Sequence, residues 1–400
     1  MTAGIGLYVH IPFCASRCPY CDFATAPATT RLRGRYLDAL GTEIRREGAR
    51  LERPSARTLY VGGGTPSLLE PDEIAVLGAA LRESFDLALI EATVEANPAT
   101  LDRARLEAWR AAGITRVSLG AQSLSAEGLR ILGRTHQPED TAVAVDAIRS
   151  LGMDVSLDLI FGWAGQSRDD WLADLKGATL LSPDHISCYP LELALEPEEA
   201  VANWPGAGWE SVLRWRQIAT LGQADDEGMA RLYRTAERAL AAAGYRHYEI
   251  ANWARPDKRC AHNLVYWRNG EWLGLGMGAH SHLDGQRSRR PGALARYVEA
   301  IEAGEPRLAD ASTDDESDSA MLALRLDEGL DIRAYRSRFG RAPAERVRSA
   351  LEESVDLGLV RWSGDVARLT PRGRLLASEV FIRLLGGESS SSRHAVVATT

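Results

Sequence analysis

The 400-residue chain lacks the features of several common protein classes. No apolar run approaches the ~20 residues that cross a bilayer, so no transmembrane segment is expected. The first predicted strand begins a few residues after Met1, which leaves no room for a signal peptide. The formal net charge is −8, whereas nucleic-acid-binding surfaces are usually basic, so a nucleic-acid partner is not expected. No internal repeat indicates a solenoid.

Cysteine is scarce, and its few copies are unevenly placed. There are five in the chain, and three of them form a C-x3-C-x2-C pattern at Cys14, Cys18 and Cys21. A secreted disulfide framework normally has an even count. A tetrahedral zinc site usually takes a second cysteine pair, and this chain has none. The few unpaired thiols predict a reducing, cytoplasmic location.

Three thiolates on one short loop predict a [4Fe-4S] cluster, because thiolates are the usual protein ligands of iron–sulfur centres. Such a cluster keeps one iron without a protein ligand. The alternative is three unrelated cysteines that pack as small hydrophobic residues. The loop follows a short predicted strand, where an active face would open at the strand's carboxyl end.

Strand and helix patterns alternate through the first half of the chain, and the connections are long enough for crossovers. This rhythm predicts a parallel sheet. Six strand–helix units predict a partial (β/α)6 TIM-like barrel with its site at the carboxyl ends of the strands. The predicted strands are Ile5–His10, Arg57–Val61, Ala92–Pro98, Ile114–Leu119, Asp154–Ile160 and His185–Tyr189.

The remaining composition predicts four regions. Residues 1–245 form the barrel, in which 191–223 interrupt the rhythm as a lid or insertion of unassigned role. Residues 246–312 link to a smaller C-terminal domain over 313–385. Its helices, a short hairpin over 359–369 and a last helix over 371–385 favour a winged-helix-like, mainly helical module. The acidic chain favours a structural role for that module over DNA binding. Residues 386–400 are Ser-rich and predicted to be disordered.

The cysteine loop and the glycine run Gly62–Pro66 together resemble the radical S-adenosylmethionine (SAM) superfamily, in which the open iron chelates the amino and carboxylate groups of SAM. The glycine run taken alone also fits a tight turn. A carboxylate inside an apolar strand, such as Asp158, is costly unless it has a partner. The resemblance implies SAM-site residues at Tyr8, Tyr20, Gly63, Gly64, Thr65, Glu95, Gln122, Arg134 and Asp158. The loop Phe161–Gln166 departs from the superfamily's relatives in lacking a proline.

A second candidate site lies at His262–Trp267, which reads His-Asn-x-x-Tyr-Trp. Imidazole is a usual axial ligand of haem iron, and aromatic rings suit a flat macrocycle. A packing role on the barrel rim is the plainer alternative. The rival ligands are Cys260, His280 and His282, and the basic run Arg287, Arg289 and Arg290 offers partners for haem propionates.

This hexamer resembles the motif of haem chaperones related to the oxygen-independent coproporphyrinogen III oxidases. The resemblance implies binding of haem b together with the cluster and SAM, and transfer of haem to respiratory apoproteins. The alternative is the oxidase itself, a radical SAM enzyme of porphyrin biosynthesis. That enzyme has a fourth cysteine where this chain has Phe23, and it carries extra N-terminal sequence, so the chaperone is favoured. Cleavage of SAM and formation of a homodimer stay open.

Overall fold

The computed structural model describes residues 4–192, 222–310 and 315–385. The predicted lid lies outside these ranges except at its ends, and the predicted disordered tail lies wholly outside them. None of the described helices is long and apolar enough to cross a membrane.

Strands and helices alternate through most of the chain. The strands are β1 (Ile5–Ile11), β2 (Phe13–Cys14), β3 (Ala26–Pro27), β4 (Ser55–Gly63), β5 (Asp86–Ala96), β6 (Arg116–Gln122), β7 (Asp154–Phe161), β8 (His185–Pro190), β9 (Arg246–Glu249), β10 (Asn252–Ala254), β11 (Trp272–Leu275), β12 (His280–Leu283), β13 (Gln286–Arg289), β14 (Leu308–Ala309), β15 (Leu330–Asp331), β16 (Val360–Ser363) and β17 (Val366–Leu369). The α-helices are α1 (Thr30–Arg50), α2 (Pro71–Ser84), α3 (Arg103–Ala112), α4 (Ala126–Ile131), α5 (Pro138–Ser150), α6 (Arg168–Leu180), α7 (Asp226–Ala242), α8 (Ala261–Trp267), α9 (Leu294–Glu302), α10 (Asp315–Arg325), α11 (Ile332–Phe339), α12 (Arg341–Asp356), α13 (Pro371–Leu375) and α14 (Ala377–Leu384).

The six strands predicted from the sequence stand side by side in chain order, as β1-β4-β5-β6-β7-β8. Every neighbouring pair among them is parallel. Helices lie in the connections between them, as a parallel sheet requires. Because each new strand adds to the same edge, the sheet winds in one direction, and the predicted partial barrel is confirmed.

The sheet is larger than the six predicted strands. Within the described residues it has 12 strands, in the order β14-β13-β12-β11-β1-β4-β5-β6-β7-β8-β10-β9. On one side β11 adds parallel to β1, followed by three antiparallel strands. On the other side β10 and β9 are antiparallel. The predicted linking region, 246–312, therefore supplies strands to the main sheet.

The two faces of the barrel strands differ in chemistry because successive side chains point to opposite faces. On one face, residues such as Leu7, Leu59 and Val94 share a hydrophobic cluster with the surrounding helices. Burying each such side chain contributes about 1.5–3 kcal/mol. The other face carries mainly polar or small residues in matching register, and among them are Tyr8 and Tyr60. This polar inner face surrounds the site.

The C-terminal residues have a hydrophobic cluster of their own, formed between helices and a three-stranded antiparallel sheet in the order β15-β17-β16. The predicted hairpin over 359–369 is present as β16 and β17. The last helix, predicted to run unbroken from Pro371 to Leu385, is instead divided at Leu376 into α13 and α14. The domain boundaries stay a prediction.

Candidate functional site

The three cysteines of the motif lie on one loop that follows β1. Cys14 ends β2, and the Cys21 amide donates a hydrogen bond of 3.1 Å to the Cys18 carbonyl. All three thiols are free and partly exposed. Burial raises the pKa of the Cys14 thiol to about 11. When no metal is bound, this thiol therefore stays protonated at neutral pH. Binding of iron would displace its proton.

Cations and donors surround the sulfurs. Arg134 Nη1 donates to Cys18 Sγ at 3.5 Å, and Thr65 Oγ1 donates to Cys14 Sγ at 3.5 Å. Arg17 Nη2 donates to the Cys21 carbonyl at 2.6 Å. Buried Arg17 Nη1 and Arg134 Nε have no hydrogen-bond partner in the described structure. Unsatisfied donors beside a group of thiols fit an anionic cluster, because buried donors normally have acceptors.

Among the described residues, no group of three or more His, Cys, Asp or Glu side chains is arranged to hold a single metal ion. A four-iron cluster has a different requirement, since its three cysteine ligands bind three different iron atoms. The three thiols and the neighbouring arginines therefore suit a cluster better than a zinc ion.

The glycine run brings the backbone close to the cysteine loop. Gly63 has φ of 111°, and a Cβ at this position would collide with the His10 ring. A Cβ on Gly64 would lie 2.6 Å from the carbonyl carbon of Pro12. The His10 ring is held at both nitrogens, by Tyr8 Oη at 2.9 Å and by the Ala24 carbonyl at 2.8 Å. Glycine is thus required here for close approach as well as for backbone conformation.

Two partly buried carboxylates lie on the inner face beyond the glycine run. Glu95 accepts hydrogen bonds from Tyr60 Oη and from the Gly63 amide, both at 2.9 Å. Burial raises the pKa of Glu95 to about 7, and the nearby charge of Asp158 raises it too. Asp158 accepts from Ser118 Oγ at 3.0 Å, and burial raises its pKa to about 6. Both carboxyls therefore titrate close to neutral pH.

Gln122 and Arg134 lie near the end of β6. Gln122 has φ of 65°, an unusual conformation for a residue with a side chain, and β6 has a register shift here. Arg134 Nη2 donates to the Gly120 carbonyl at 2.8 Å, while its Nη1 contacts the cysteine loop. Tyr20 packs against a small hydrophobic cluster that includes Trp163. Of the predicted SAM-site residues, Glu95 and Gln122 thus lie at the carboxyl ends of their strands, whereas Tyr8 and Asp158 lie near the middle of theirs.

Helix α8, which carries the His-Asn-x-x-Tyr-Trp motif, packs against the inner face near the amino-terminal ends of β1 and β4. His262 is fully buried. Its Nδ1 lies 2.8 Å from Thr58 Oγ1 and its Nε2 lies 2.8 Å from Tyr266 Oη. Burial lowers the pKa of His262 to about 3. With both nitrogens hydrogen-bonded, its ring fills the base of the barrel, and its role as a haem ligand stays a prediction.

A column of aromatic rings joins this helix to the carboxylates. The His262 ring stacks on Tyr60 at 5.4 Å between centroids, and Tyr60 stacks on Tyr8 at 6.3 Å. The start of α8 is held by Glu91, which accepts from the His262 amide at 3.1 Å and pairs with Arg116 at 2.9 Å. The column therefore connects the motif to the predicted SAM site through side-chain packing.

The rival haem ligands differ in accessibility. Cys260 is buried, its thiol donates to Glu91 Oε1 at 3.3 Å, and burial raises its pKa. His282 is buried, with Nδ1 2.8 Å from the Gly270 carbonyl and Nε2 3.3 Å from Asp315 Oδ1. The His280 side chain is 56% exposed. Only His280 among these three rivals presents its ring to solvent.

The three arginines predicted as propionate partners have different roles in the fold. Arg290 is buried and pairs with Glu43 at 2.6 Å and Glu47 at 3.0 Å. Arg287 pairs with Asp318 at 3.1 Å and lies over the Trp272 ring. Both are therefore occupied within the chain. The side chain of the third arginine, Arg289, is 49% exposed.

Comparison with known proteins identifies the family. The haem chaperone HemW of Mycobacterium tuberculosis is 38% identical to this chain over 395 residues, which cover 95% of each protein. The chain belongs to the HemW family. HemW of Bacillus subtilis is 31% identical over 388 residues, covering 95% of this chain and 98% of that protein. HemW of Escherichia coli is 31% identical over 389 residues, covering 94% and 97%.

Two family models agree with this placement. The radical SAM superfamily model matches residues 8–176, and the HemN C-terminal domain model matches residues 314–376. The solved coproporphyrinogen III oxidase HemN of Escherichia coli covers 95% of this chain with a TM-score of 0.79 and 24% sequence identity, and 90% of that chain is covered. This last likeness shows the fold alone. Membership of the radical SAM superfamily implies a [4Fe-4S] cluster and SAM.

Sequence reasoning missed three residues of the site. Tyr60 donates to Glu95, His10 supports the glycine run, and Arg17 reaches into the cysteine loop. The sequence pattern could have identified Tyr60, because Thr58, Tyr60 and Gly62 alternate with the apolar residues of β4 and therefore lie on its inner face. No comparable pattern marks Arg17, which follows no strand or helix periodicity.

Proposed function

We propose that this protein is a haem chaperone that binds haem b together with a [4Fe-4S] cluster and SAM, and transfers haem to respiratory haemoproteins. The observation that carries this proposal is the 38% identity to a HemW over nearly the whole of both chains. The partners would be haem and apoproteins that accept haem, and the setting would be the cytoplasm. A homodimer is compatible with this function.

In this proposal Cys14, Cys18 and Cys21 hold the cluster through thiolates. The cluster, when bound, supplies an open iron that chelates SAM. The glycine run would hold SAM from its backbone at Gly63, Gly64 and Thr65. Glu95, a partly buried carboxylate that accepts from the Gly63 amide, would accept hydrogen bonds from ribose hydroxyls.

The remaining predicted residues would complete the SAM site. Arg134 would place its positive charge beside the cluster, and Asp158 would add a second carboxylate. Tyr8 and Tyr20 would line the site with aromatic rings, and Gln122 would contribute an amide at the end of β6.

The competing function is that of a radical SAM oxidoreductase, the oxygen-independent coproporphyrinogen III oxidase. It is the second candidate because the radical SAM superfamily model matches residues 8–176. Against it, the position of that enzyme's fourth cysteine is Phe23 here. The stronger full-length similarity is to haem chaperones.

Two measurements separate the functions. Anaerobically reconstituted protein should bind haem in a fixed stoichiometry with a visible absorption band, and should pass that haem to an apo form of a respiratory haem b protein. The same preparation, given SAM, reductant and coproporphyrinogen III, should yield no protoporphyrinogen. Turnover of coproporphyrinogen at enzymatic rates, or the absence of haem binding, would refute the chaperone function.

A further inference from the structure

The Glu95 carboxylate is held at both of its oxygens by groups of β4. Tyr60 Oη donates to Oε1 and the Gly63 amide donates to Oε2, each at 2.9 Å. A Cβ placed on Gly62 would lie 2.8 Å from the carboxyl carbon of Glu95, so the carboxylate lies directly against the backbone of β4. Each carboxylate oxygen has two lone pairs. One lone pair on each oxygen therefore remains for a ligand.

This arrangement of free lone pairs suits a diol. Two hydroxyls on neighbouring carbons, as in a ribose, can each donate to one oxygen of the same carboxylate. Both hydrogen bonds are strongest when the carboxylate is ionised and keeps one orientation. The other donor to Glu95, at Gly63, is a backbone amide. Tyr60 is therefore the side chain through which the sequence controls the state of Glu95.

The Tyr60 ring is itself fixed by its neighbours. It stacks on Tyr8 with 6.3 Å between centroids and on His262 with 5.4 Å between centroids. Burial and the nearby charge of Glu95 hold the pKa of Tyr60 well above its usual range. The hydroxyl therefore keeps its proton at neutral pH and above, and it donates to Glu95 from a ring that packs against two others.

Other ionisable groups among the described residues also act on Glu95. The carboxyl is Asp158 on β7, whose pKa burial raises to about 6. The phenols are Tyr8 on β1, Tyr189 on β8 and Tyr266 on α8, and burial raises the pKa of each well above its usual range. These phenols stay neutral near pH 7, and Asp158 is mostly ionised above it. A change in the titration of Glu95 on loss of the Tyr60 hydroxyl would therefore report on their hydrogen bond.

We propose that Tyr60 is a positioning residue of the SAM site, whose hydroxyl holds the Glu95 carboxylate ionised and oriented for a ribose diol. Tyr60 acts through Glu95 and needs no contact with SAM. A hydrogen bond donated to a carboxylate stabilises its charged form. It thereby opposes burial, which raises the pKa of Glu95 to about 7. This inference rests on the proposed function, in which SAM binds through Glu95.

The first test is the pH titration of Glu95 in cluster-loaded protein without SAM, followed by infrared spectroscopy of the protonated carboxyl. The band of Glu95 is assigned by its absence from Glu95→Gln. Tyr60→Phe keeps the ring but removes the hydroxyl, so it should raise the midpoint by about one pH unit. Replacement of Tyr60 by a fluorinated tyrosine, which is a stronger donor, should lower the midpoint. A midpoint that neither replacement moves would overturn the proposal.

The second test is the affinity for SAM, measured by anaerobic calorimetry at pH 7 and pH 9. With midpoints about one pH unit apart, Tyr60→Phe should increase the dissociation constant about five times more at pH 7 than at pH 9. The titration of SAM itself is common to both proteins and cancels in this comparison. In a Glu95→Gln background the effect of Tyr60→Phe should be equal at both pH values. An equal effect in the wild-type background would indicate a merely structural role and would overturn the proposal.

Tyr245→Phe is the matched control. The Tyr245 hydroxyl also donates one hydrogen bond, of 2.7 Å to the Pro183 carbonyl, and Tyr245 is buried. This variant should keep the wild-type titration of Glu95 and the wild-type affinity for SAM. A wild-type protein that binds no SAM would refute the proposed function. If the wild type binds SAM and Tyr60→Phe matches it in both tests, the role of Tyr60 alone is refuted.

Discussion

The binding of SAM should depend on pH through Glu95. The pKa of this carboxyl is raised to about 7, mainly by burial. Its ionised form accepts stronger hydrogen bonds from ribose hydroxyls than the protonated form does, and its negative charge attracts the sulfonium cation of SAM. The protonated form, which dominates below the raised pKa, should therefore bind SAM more weakly. The affinity for SAM should therefore be highest above the pKa of Glu95 and should fall as the pH falls through that pKa.

The size of the effect follows from the pKa. For a pKa of about 7, the dissociation constant of SAM should be roughly tenfold larger at pH 6 than at pH 8 if only the ionised carboxylate binds. Asp158, with a pKa raised by burial to about 6, should add about a further twofold at pH 6. The change in binding free energy due to Glu95 is thus about 1.4 kcal/mol over this range.

Anaerobic isothermal titration calorimetry of the cluster-loaded protein with SAM measures this profile. The amino group of SAM titrates in the same range, so the comparison with Glu95→Gln is decisive. That variant keeps the shape of the side chain but cannot ionise, so it should bind SAM more weakly. The ratio of its dissociation constants at pH 6 and pH 8 should be about tenfold smaller than the ratio for the wild type. Identical slopes for the wild type and Glu95→Gln would show that Glu95 does not bind SAM as a carboxylate.

Three further perturbations test the cofactor site and the fold. Gly63→Ala should reduce the affinity for SAM, which a SAM titration measures. It should also lower the free energy of unfolding, measured in urea, by more than the cost of positive φ alone, which is about 1–2 kcal/mol. The additional cost arises because the new Cβ collides with the His10 ring. Cys14→Ala should lose iron after anaerobic reconstitution, while Cys188→Ala should keep it, as iron analysis will show. Glu43→Ala should lower the free energy of unfolding by about 3–5 kcal/mol, because buried Arg290 keeps only Glu47 as a partner and Tyr297 and Arg307 lose the acceptor that they share with it.

Matched controls sharpen these predictions. Gly165 also has a positive φ, of 78°, but apart from its two chain neighbours no atom of the described residues lies within 4 Å of a Cβ placed there. Gly165→Ala should therefore show the backbone cost alone. Equal effects at both glycines would contradict the close-approach argument. Glu345→Ala removes an exposed pair with Arg341 and should leave the unfolding curve nearly unchanged. An effect as large as that of Glu43→Ala would contradict the importance of burial. Full iron retention in Cys14→Ala would argue against the cluster ligands.

Local patterns in the sequence were sufficient for the barrel strands and for the cysteine loop. The six predicted strands have apolar runs bounded by turn residues, and the structure contains all of them in parallel order. The three cysteines occur within one short loop, so their proximity needs no long-range fold. The short strands β9 to β14 escaped prediction because two to four residues carry too little periodicity to identify.

The roles of the histidines and arginines were decided by tertiary structure. Arg289 and Arg290 are adjacent in sequence, yet one is exposed at a sheet edge and the other is buried against Glu43 on α1. His262 receives its partner Thr58 from a strand 204 positions away in sequence. Local sequence determines which groups are available for chemistry. Burial and pairing depend on contacts between distant segments, and these decide which groups remain free to bind a ligand.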